Sequence, residues 1–586
     1  MELQLSENAV QVLEARYLRR NRSGELVETP EELFSRVASA VSEPELLYGN
    51  AADARRRREE FLQMMTGLEF LPNSPTLMNA GSAMNQLSAC FVLPVSDTIE
   101  DIFDAVKHMA MVQRSGGGTG FSFSKLRPSG DFISSTGGKA SGPVSFMDIF
   151  NCATANIKQG GKRRGANMGV LQADHPDILE FIHAKTRDGA FENFNLSVLA
   201  DDAFMEAARQ GAYYDLRHPR DGRASGRLNA GEVFKAIYET AWETGDPGLI
   251  FADKINAHNP TPHLGRIVAT NPCGEIPLLD YESCNLGSIN LARMLDSSGR
   301  RIDWKKLRNT AAKGVRFLDN VIDVSRYPIR GIERMTLGNR KIGLGVMGFA
   351  DMLIRLDVAY DSDEAADLAQ EVIKAVSEKA FRVSSRLAEE RGVYPHWQGS
   401  VHQKNGQALR NATQTAVAPT GSISIIAGTT PSIEPLFALA YRRTNVLGGR
   451  TLHEINPLFK QTARQSGLDP EQIEERIRKT GNLADIDEVP DHLKEIFKTA
   501  LQIPVDRHLK IQQAFQRHVD NSVSKTINLP EEAKPKNVAD AYWRAWEMDL
   551  KGITIYRYGS KSTQVLQMQE GAGQESTLAS CEKCTI

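Results

Sequence analysis

One long amphipathic helix stands out in the pattern of apolar and polar positions. From Leu368 to Leu387, apolar residues recur three or four positions apart, which is the spacing of one helix face. Ser362 precedes this run as a helix-capping residue, and Gly392 follows it where helices commonly end. The pattern therefore predicts a helix between Ser362 and Gly392 whose apolar side packs in the core.

Short continuous apolar runs predict buried strands at Thr415–Ala418, Lys525–Leu529 and Ile553–Tyr556, because each run is bounded by turn residues. Between about residues 70 and 560, glycine-rich turns separate such runs from amphipathic helices. This alternation is typical of an α/β fold.

The two ends of the chain differ from this body. Residues 1–65 are polar and helical in pattern, with Thr29 and Pro30 placed to open a helix. The last part of the chain is rich in Gln, Gly, Ser and Glu, and it ends in Cys581 and Cys584. We therefore divide the chain into an N-terminal helical segment (1–65), an α/β body (66–560) and a flexible C-terminal redox tail (561–586). A flexible tail of this length reaches roughly 25 Å.

Composition places the chain among ordinary globular proteins, with 586 residues, 41% hydrophobic and 24% charged. The net charge of -3 gives no basic field for nucleic acid or membrane binding. The one dense basic run, Arg55 to Arg58, is followed by Glu59 and Glu60 and predicts a solvated helix face. No basic leader and no long apolar run is present, so we expect a cytoplasmic protein.

Six cysteines are too few for a disulfide scaffold, so they are expected to be thiols unless they do redox work or bind metal. The tail supplies only two metal ligands with no histidine nearby, so we predict no metal site within one chain. Cys152 is interpreted as a buried structural thiol.

The most informative motif is the pentapeptide Asn271-Pro272-Cys273-Gly274-Glu275. In an extended segment, side chains at every second position share a face, so Asn271, Cys273 and Glu275 could point at one small substrate. Taken alone, the pentapeptide is more often a turn with a buried cysteine. The motif becomes specific only through its context.

That context is a set of further motifs in a fixed order, from about residue 5 to the C-terminus. They are Ser74-Pro75-Thr76-Leu77-Met78-Asn79-Ala80-Gly81, Leu87-Ser88-Ala89-Cys90, Gly116-Gly117-Gly118-Thr119-Gly120, the Lys158 to Asn167 stretch, the pentapeptide, and Pro419-Thr420-Gly421-Ser422. With them the chain resembles the catalytic protein of ribonucleotide reductase, and most closely the adenosylcobalamin-dependent class II enzymes.

The resemblance implies a ten-stranded α/β barrel of two five-stranded halves, with Cys273 at the tip of a catalytic finger loop inside it. Cys273 would carry the thiyl radical that removes the substrate's 3'-hydrogen. Glu275 would take the 3'-hydroxyl proton, and Asn271 would hold that hydroxyl. Cys90 and Cys284 would supply the reducing equivalents and end as a disulfide.

The resemblance also implies binding sites. The substrate-binding residues would be Ser74, Thr76, Ala89, Gly118, Pro419, Thr420, Gly421, Ser422 and Ile423. A deoxynucleotide effector near a homodimer interface would be bound by Asp97, Arg127, Lys158, Gln159 and Arg163. Cys581 and Cys584 would pass electrons from a thioredoxin-like reductant to the dithiol in the barrel.

Three features assign the class within that family. Adjacent tyrosines for radical transfer are replaced by Tyr556-Arg557-Tyr558, a glycyl-radical motif is replaced by the tail cysteines, and Glu275 is present. Together they favour adenosylcobalamin as cofactor, although no cobalamin-binding residue can be named. We expect ribonucleoside diphosphates as substrates, but the sequence does not separate them from triphosphates. Two alternatives remain open: a reductase fed by a radical partner protein, and a silent nucleotide sensor.

Overall fold

A computed structural model describes residues 3–133, 137–159, 163–443 and 452–560. Its α-helices are α1 Glu7–Arg16, α2 Pro30–Ser42, α3 Glu45–Tyr48, α4 Ala51–Thr66, α5 Ser74–Asn79, α6 Ile99–Arg114, α7 Gly142–Asn156, α8 Ile178–Ile182, α9 Asp202–Gln210, α10 Ala230–Thr244, α11 Ala252–Ala257, α12 Trp304–Val324, α13 Arg330–Asn339, α14 Phe349–Arg355, α15 Asp363–Arg391, α16 Val401–Lys404, α17 Gly421–Ala427, α18 Pro457–Gln465, α19 Pro470–Thr480, α20 Asp491–Ile496, α21 Val505–Gln516 and α22 Pro535–Glu547.

The strands in the same ranges are β1 Phe70–Pro72, β2 Cys90–Val92, β3 Gly118–Ser122, β4 Phe132–Ile133, β5 Gly138–Lys139, β6 Lys158–Gln159, β7 Arg163–Arg164, β8 Asn167–Gln172, β9 Phe194–Ala200, β10 Tyr213–Arg217, β11 Ala224–Asn229, β12 Gly248–Phe251, β13 Ala269–Thr270, β14 Pro277–Leu278, β15 Ser283–Asn290, β16 Ile342–Met347, β17 Ala440–Arg443, β18 Leu452–Ile455, β19 Thr526–Leu529 and β20 Gly552–Arg557.

The central sheet consists of two parallel halves. Strands β2, β3, β8, β9 and β12 pair in that order, all parallel. In the second half, β15 pairs with β16, and β19 pairs with β20, again in parallel. The halves meet along two antiparallel seams, one between β15 and β2 and the other between β12 and β20.

A buried extended segment at residues 413–417 closes the second half. Parallel bridges join Thr415 to Leu344 of β16 and Val417 to Val523, which lies just before β19. Residue Thr415 is fully buried, as predicted for a strand, but the segment pairs through single bridges and not through a continuous ladder. With this segment the ring contains ten strands in two halves of five, which confirms the barrel implied by the resemblance.

The helices pack outside the ring and confirm the clearest sequence prediction. Helix α15 spans Asp363–Arg391, with Ser362 as its N-cap and Gly392 at its C-terminal end. The predicted strands at 525–529 and 553–556 appear as β19 and β20, shifted by about one residue. These elements were predictable because caps and apolar runs act locally.

The N-terminal helices are tied to the barrel by buried charges. Thr29 and Glu32 form a reciprocal capping box at the start of α2. Glu45 follows this helix and is 2% exposed, and its carboxylate binds Arg316 of α12 at 2.7 Å and Arg391 of α15 at 2.8 Å. A buried charge is tolerated only when it is paired in this way. The segment is therefore fixed on the barrel's outer helices.

One sequence expectation is wrong. Cys152 lies on α7 and is exposed to solvent, so it is not a buried structural thiol. Its helix alternates apolar and polar positions weakly, and a cysteine fits either face of such a helix.

Within the described ranges, no helix has the length and apolar character that crossing a membrane requires.

Candidate active site

The finger loop is a hairpin formed by β13 and β14, and residues 271–276 form its tip. Three contacts hold the finger. Asn195 Nδ2 of β9 donates to Pro272 O at 2.8 Å, and Ser522 N donates to Glu275 O at 2.8 Å. A side chain at Gly120 of β3 would collide with Thr270 O, so the finger's backbone lies directly on that strand. The finger is thus anchored by both halves of the barrel.

The tip is a turn and not the extended segment from which the sequence argument began. Gly274 has a φ of 80°, and Gly274 N donates to Asn271 O at 3.1 Å. Asn271 Oδ1 also accepts from Ile276 N at 3.0 Å, which closes the turn. Asn271 and Glu275 therefore converge because the chain folds back, since a glycine at this position permits a left-handed backbone.

Asn271 and Glu275 both reach Cys90. Asn271 Nδ2 donates to Cys90 Sγ at 3.2 Å, and Cys90 Sγ lies 3.8 Å from Glu275 Oε1. All three residues are fully buried, whereas Cys273 at the tip is partly exposed. The negative charge of Glu275 and the neighbouring Cys273 and Cys284 thiols all act on Cys90. The structure therefore brings together the five residues expected to be catalytic.

Cys90 and Cys284 face each other across the antiparallel seam between β2 and β15. Residues directly opposite in such a pair have Cα atoms about 4.5–5.5 Å apart. A disulfide needs a Cα separation of roughly 4.4–6.8 Å. Both cysteines are free thiols here, and they can be bridged without moving the backbone.

Burial controls protonation in this site. It raises the pKa of Glu275 to about 7, and it raises the pKa values of Cys90 and Cys284 well above the usual range for thiols. The two thiols are therefore fully protonated at neutral pH. The carboxyl group of Glu275 can hold or release a proton near neutrality, which suits a group that must do both.

Glu275 carries the clearest sign of a missing partner. Its Oε2 atom is buried and has no hydrogen-bond partner among the described residues. A buried carboxylate oxygen without a partner is costly, and such atoms are found where a ligand completes the bonding. The atom therefore marks where a substrate hydroxyl would bind.

The predicted phosphate loop has the expected strand–turn–helix form. It follows the 413–417 segment, Thr420 is in a left-handed conformation with φ 54°, and α17 starts at Gly421. The hydroxyl of Thr420 accepts from Ser432 N at 2.7 Å, which fixes the turn. Pro419 and Gly421 are partly exposed, while Ser422 and Ile423 are buried.

The other predicted substrate residues lie around this loop and the seam. Ser74 and Thr76 begin α5, and Ala89 N donates to Cys284 O at 3.1 Å beside Gly118. The Thr76 hydroxyl already donates within the protein, to Asn73 Oδ1 and Leu87 O, so it is the least available of the set.

Helix α1 links the two groups of predicted substrate residues, which the sequence analysis did not foresee. Tyr17 shares a 2.8 Å hydrogen bond with Ser74, and Arg16 Nη1 lies 3.5 Å from Ser422 Oγ. Neither residue carries a motif. Only the packing of α1 on α17 makes them neighbours of the site.

The predicted effector residues Asp97 and Arg127 form a double-contact ion pair. Arg127 Nε lies 2.9–3.0 Å from both carboxylate oxygens of Asp97. Arg220, which sequence analysis missed, adds a contact to the same carboxylate at 3.0 Å. Burial works against the charge on Asp97, but the hydrogen bonds from Arg127 outweigh it and hold its pKa below the usual value. The carboxylate of Asp97 thus contacts the guanidinium groups of both Arg127 and Arg220.

Other predicted residues are described only in part. The backbones of Lys158 and Gln159 pair with those of Arg164 and Arg163 in a short hairpin. Cys581 and Cys584 of the predicted redox tail lie outside the described residues.

A narrow cleft lies beside Cys273, with a cavity volume of about 30 Å³. Its polar lining includes Gln512, Ser524, Lys525, Lys551 and Thr554. Burial lowers the pKa of Lys551 to about 7. Gln512 Oε1 is buried and without a partner within the described ranges. A side chain at Gly274 would meet nothing within 4 Å, so the space beside the tip is open.

Comparisons with known proteins agree with this geometry. The family model described as "Ribonucleotide reductase, barrel domain" matches residues 88–556, and that described as "Ribonucleotide reductase, all-alpha domain" matches residues 3–85. The "Vitamin B12-dependent ribonucleoside-diphosphate reductase" of Thermoplasma acidophilum is 47% identical, covering 96% of this chain and 80% of that protein. The protein of the same name from Mycobacterium tuberculosis (strain CDC 1551 / Oshkosh) is 48% identical, covering 96% and 81%.

A solved structure is also similar throughout. The "Actinobacillus ureae class Id ribonucleotide reductase alpha subunit" superposes with a TM-score of 0.77 at 25% identity, covering 95% of this chain and 97% of that one. The resemblance first seen in the motifs is therefore confirmed by matches that span nearly the whole chain. Two buried thiols and a third, partly exposed thiol on a finger loop, in a barrel that matches one family along its length, identify this chain as a member of the ribonucleotide reductase family of oxidoreductases.

Proposed function

We propose that this enzyme is a vitamin B12-dependent ribonucleoside-diphosphate reductase, the name that its 47–48% identical relatives bear. The observation that carries the proposal is the buried, unpartnered Oε2 of Glu275 beside three thiols. A site of this kind can take a proton from a hydroxyl and deliver two reducing equivalents to the neighbouring carbon.

In the proposed reaction, Glu275 is the base at the substrate's 3'-hydroxyl. Its pKa of about 7 lets it accept that proton and return it within one turnover. Asn271 would exchange its contact with Cys90 for one with the same hydroxyl, because its Nδ2 donates to Cys90 Sγ, which Glu275 also contacts. The Cys273 side chain stands at the partly exposed tip, where it can remove the 3'-hydrogen.

Cys90 and Cys284 supply the electrons. Both stay protonated because burial raises their pKa values, so each can deliver hydrogen and not only charge. After the 2'-hydroxyl leaves as water, the two sulfurs are close enough across the seam to join as a disulfide.

The cofactor that the relatives' names imply is proposed to bind next to Cys273, at the cleft whose polar lining includes Gln512, Ser524 and Thr554. The Gln512 Oε1 atom, which has no partner among the described residues, and the hydroxyl groups of Ser524 and Thr554 would hold part of it. Adenosylcobalamin would supply the radical that Cys273 takes up.

The substrate's phosphates are proposed to bind at the Thr420 turn, with Ser422 and Ser74 as hydroxyl donors. The printed names of the relatives specify diphosphates. The half-buried guanidinium of Arg16 adds positive charge next to Ser422, which suits an anionic group there.

Regulation and assembly are proposed from the Asp97 region. Asp97 lies just before α6, where Ile99 and Phe103 are 57% and 51% exposed one turn apart. Such apolar exposure suits a helix that pairs with a second copy of the chain. A homodimer through α6 would place a deoxynucleotide effector, bound by Arg127 with the 158–163 hairpin, next to the interface.

The reductant is proposed to be a thioredoxin-like protein acting through Cys581 and Cys584 in the cytoplasm. A protein reductant is too bulky to reach the buried seam, but a tethered dithiol reaches it at high effective concentration. With both tail cysteines replaced by Ser, prereduced enzyme should complete about one turnover with thioredoxin, while dithiothreitol restores cycling. Normal cycling with thioredoxin would contradict the shuttle.

A second candidate, a reductase that depends on a radical partner protein, is favoured by the similarity to the class Id subunit. Against it stands Arg557, which follows Tyr556 on β20. Its guanidinium packs over Trp242 with a distance of 4.3 Å to the ring centroid and donates to Trp242 O at 3.0 Å. This side chain interrupts any pair of adjacent aromatic rings on that strand.

One assay decides between these candidates. The purified chain is given ribonucleoside di- or triphosphates and dithiothreitol, with and without adenosylcobalamin, and deoxynucleotide formation is measured. Reduction of diphosphates that requires adenosylcobalamin supports the proposal. Product without the cofactor, or only after a second protein is added, would exclude it, and a preference for triphosphates would correct the substrate.

A further inference from the structure

One residue of β2, one of β15 and the residue just before β16 lie in one row across the seam. Cys90 of β2 is opposite Cys284 of β15, and β15 pairs on its other side with β16, where Asn285 is beside Ile342. Carrying that parallel register back by one residue puts Lys341 beside Cys284. The row is therefore Cys90, Cys284, Lys341, and its members are 0%, 0% and 1% exposed.

Independent contacts agree that Lys341 shares a face with Cys284. Glu282 is two residues before Cys284, hence on the same face of an extended chain. Lys341 Nζ binds Glu282 Oε2 at 2.6 Å. Two residues further along each strand, a side chain at Gly343 would collide with Leu286, so this face of both strands points to the same interior.

The charge environments of the two thiols differ. Around Cys284, burial raises the thiol pKa, and Lys341 is the largest opposing influence. Around Cys90, burial is followed by the negative charge of Glu275 and by the neighbouring thiols. Glu275 and Glu282 also raise the pKa of Cys284, where the positive charge of Lys341 opposes them. Glu282 is held in place by Asn339 and by Leu279 N, so its carboxylate fixes the ammonium group of Lys341.

We propose that Lys341 makes Cys284 the leaving group when the Cys90–Cys284 disulfide is reduced, and so directs the incoming thiol to Cys90. The proposal rests on the proposed function, because it concerns the regeneration of that dithiol. Exchange is fastest when the departing sulfur is stabilised as a thiolate, and a buried cation beside one sulfur supplies that stabilisation. Cys90 is also on the side of the finger loop, where Cys273 is open to solvent.

The regeneration step balances with a dithiol as reductant. Its thiolate attacks Cys90 Sγ, forming a mixed disulfide and breaking the bond to Cys284. The electron pair of that bond goes to Cys284 Sγ, which then takes the proton given up by the first thiol. The second thiol of the reductant attacks its partner sulfur in the mixed disulfide and releases Cys90, which takes the second proton. The reductant ends as a disulfide and the protein gains two electrons.

The experiment identifies which cysteine is attacked. Prereduced enzyme with Cys581 and Cys584 replaced by Ser, so that the tail cannot reduce the new disulfide, completes one turnover with substrate and adenosylcobalamin, is treated with the monothiol 2-mercaptoethanol, and is quenched in acid. Alkylation and peptide mass mapping then locate the mixed disulfide. We expect it on Cys90, with Cys284 alkylated. A mixed disulfide mainly on Cys284 would overturn the proposal, whereas absence of any deoxynucleotide product would refute the proposed function instead.

Matched variants test the role of the charge. Lys341→Met combined with Glu282→Gln removes the ion pair without leaving a buried charge unpaired. In this neutral pair, disulfide reduction should slow about tenfold, and the mixed disulfide should divide between both cysteines. Lys341→Arg with Glu282 intact keeps a paired buried cation and should keep the preference for Cys90.

An unchanged rate and preference in the neutral pair would contradict the proposal, and so would an equal loss of preference in Lys341→Arg. If the neutral pair does not fold, Lys341→Arg replaces it, since that variant keeps the charge and should retain attack on Cys90. A loss of that preference in Lys341→Arg would also contradict the proposal that the positive charge directs attack to Cys90.

Discussion

The thiol cluster in the barrel and the ion-pair cluster of Asp97, Arg127 and Arg220, which is proposed to bind an effector, are built in different ways. Cys90 and Cys284 are fully buried and positioned by strand register, so their geometry follows from the backbone of the seam. Asp97, Arg127 and Arg220 are 20%, 19% and 46% exposed and are held by one another's charges. Chemistry on a carbon–oxygen bond needs fixed atoms and excluded water. A regulatory site must instead exchange ligands with solvent, and its side chains are free to rearrange.

Replacing the tip thiol should have the largest effect. Cys273→Ser should reduce turnover to below about 1% of wild type, because no binding energy replaces an essential covalent participant. Substrate and effector affinities should stay within a few-fold, measured by equilibrium dialysis. Cys152→Ser is the matched control, since Cys152 is exposed on α7, and it should keep wild-type activity. Residual turnover well above this level would remove Cys273 from the reaction.

Glu275→Gln should be next in size, with a loss of about 10²–10⁴ in kcat, the usual contribution of a general base. Because the pKa of Glu275 is raised to about 7, its basic form is lost as pH falls through 7. Wild-type kcat should therefore decrease below pH 7, and this step should vanish in the variant. A pH profile that keeps the same step in Glu275→Gln would assign it to another group.

The surface site should show smaller, graded effects. Arg127→Ala should weaken effector binding by about tenfold, because it removes the guanidinium group that Asp97 holds in place and that is proposed to bind the phosphates. Arg220→Ala should weaken it by only about two- to fivefold, because its single contact is more exposed. Arg223→Ala is the control, because Arg223 lies in the same loop between β10 and β11 as Arg220 and is 85% exposed. Isothermal titration with each deoxynucleoside triphosphate measures these affinities, and equal losses in all three variants would point to a general charge effect.

The smallest effect on maximal rate is expected from the 158–163 hairpin. Ala at Lys158, Gln159 and Arg163 should change which effector favours which substrate while kcat stays within about threefold, since these side chains offer donors that alanine lacks. Competition assays with mixed substrates measure this. Unaltered preference with all four effectors would argue against the hairpin as the relay.

The same contrast explains what the sequence could predict. The ends of α15 were predictable because Ser362 and Gly392 act within one turn of the helix. The barrel and the catalytic residues came from motif order, which identifies a family without deriving its geometry. The finger tip was predicted as extended, but Gly274 turned out to adopt a left-handed turn conformation. A glycine in the sequence shows that a left-handed backbone conformation is possible, but not whether the folded chain adopts it.

The missed residues have a common cause. Lys341 becomes a neighbour of Cys284 through strand pairing, and Arg220 reaches Asp97 across more than a hundred residues of chain. Nothing in the sequence around either residue indicates a role in a site, because most lysines and arginines lie on the protein surface. The prediction for Cys152 was wrong for a different reason: the sequence suggested burial, but the residue is exposed. Burial of a cysteine on a weakly patterned helix is decided by its packing partners.

The antiparallel seam between β2 and β15 joins the two halves of the barrel as well as the two thiols. Each turnover would therefore link the two halves by a disulfide bond between Cys90 and Cys284, and each reduction would break that link. A crosslink of this kind typically adds about 2–4 kcal/mol to the free energy of unfolding by restricting the unfolded chain. The spent enzyme would thus be its most heat-resistant form, and calorimetry with and without dithiothreitol would reveal the cycle as an alternation of melting temperature. The barrel would be more stable against unfolding after turnover, when the dithiol is oxidised, and less stable once the dithiol is reduced again.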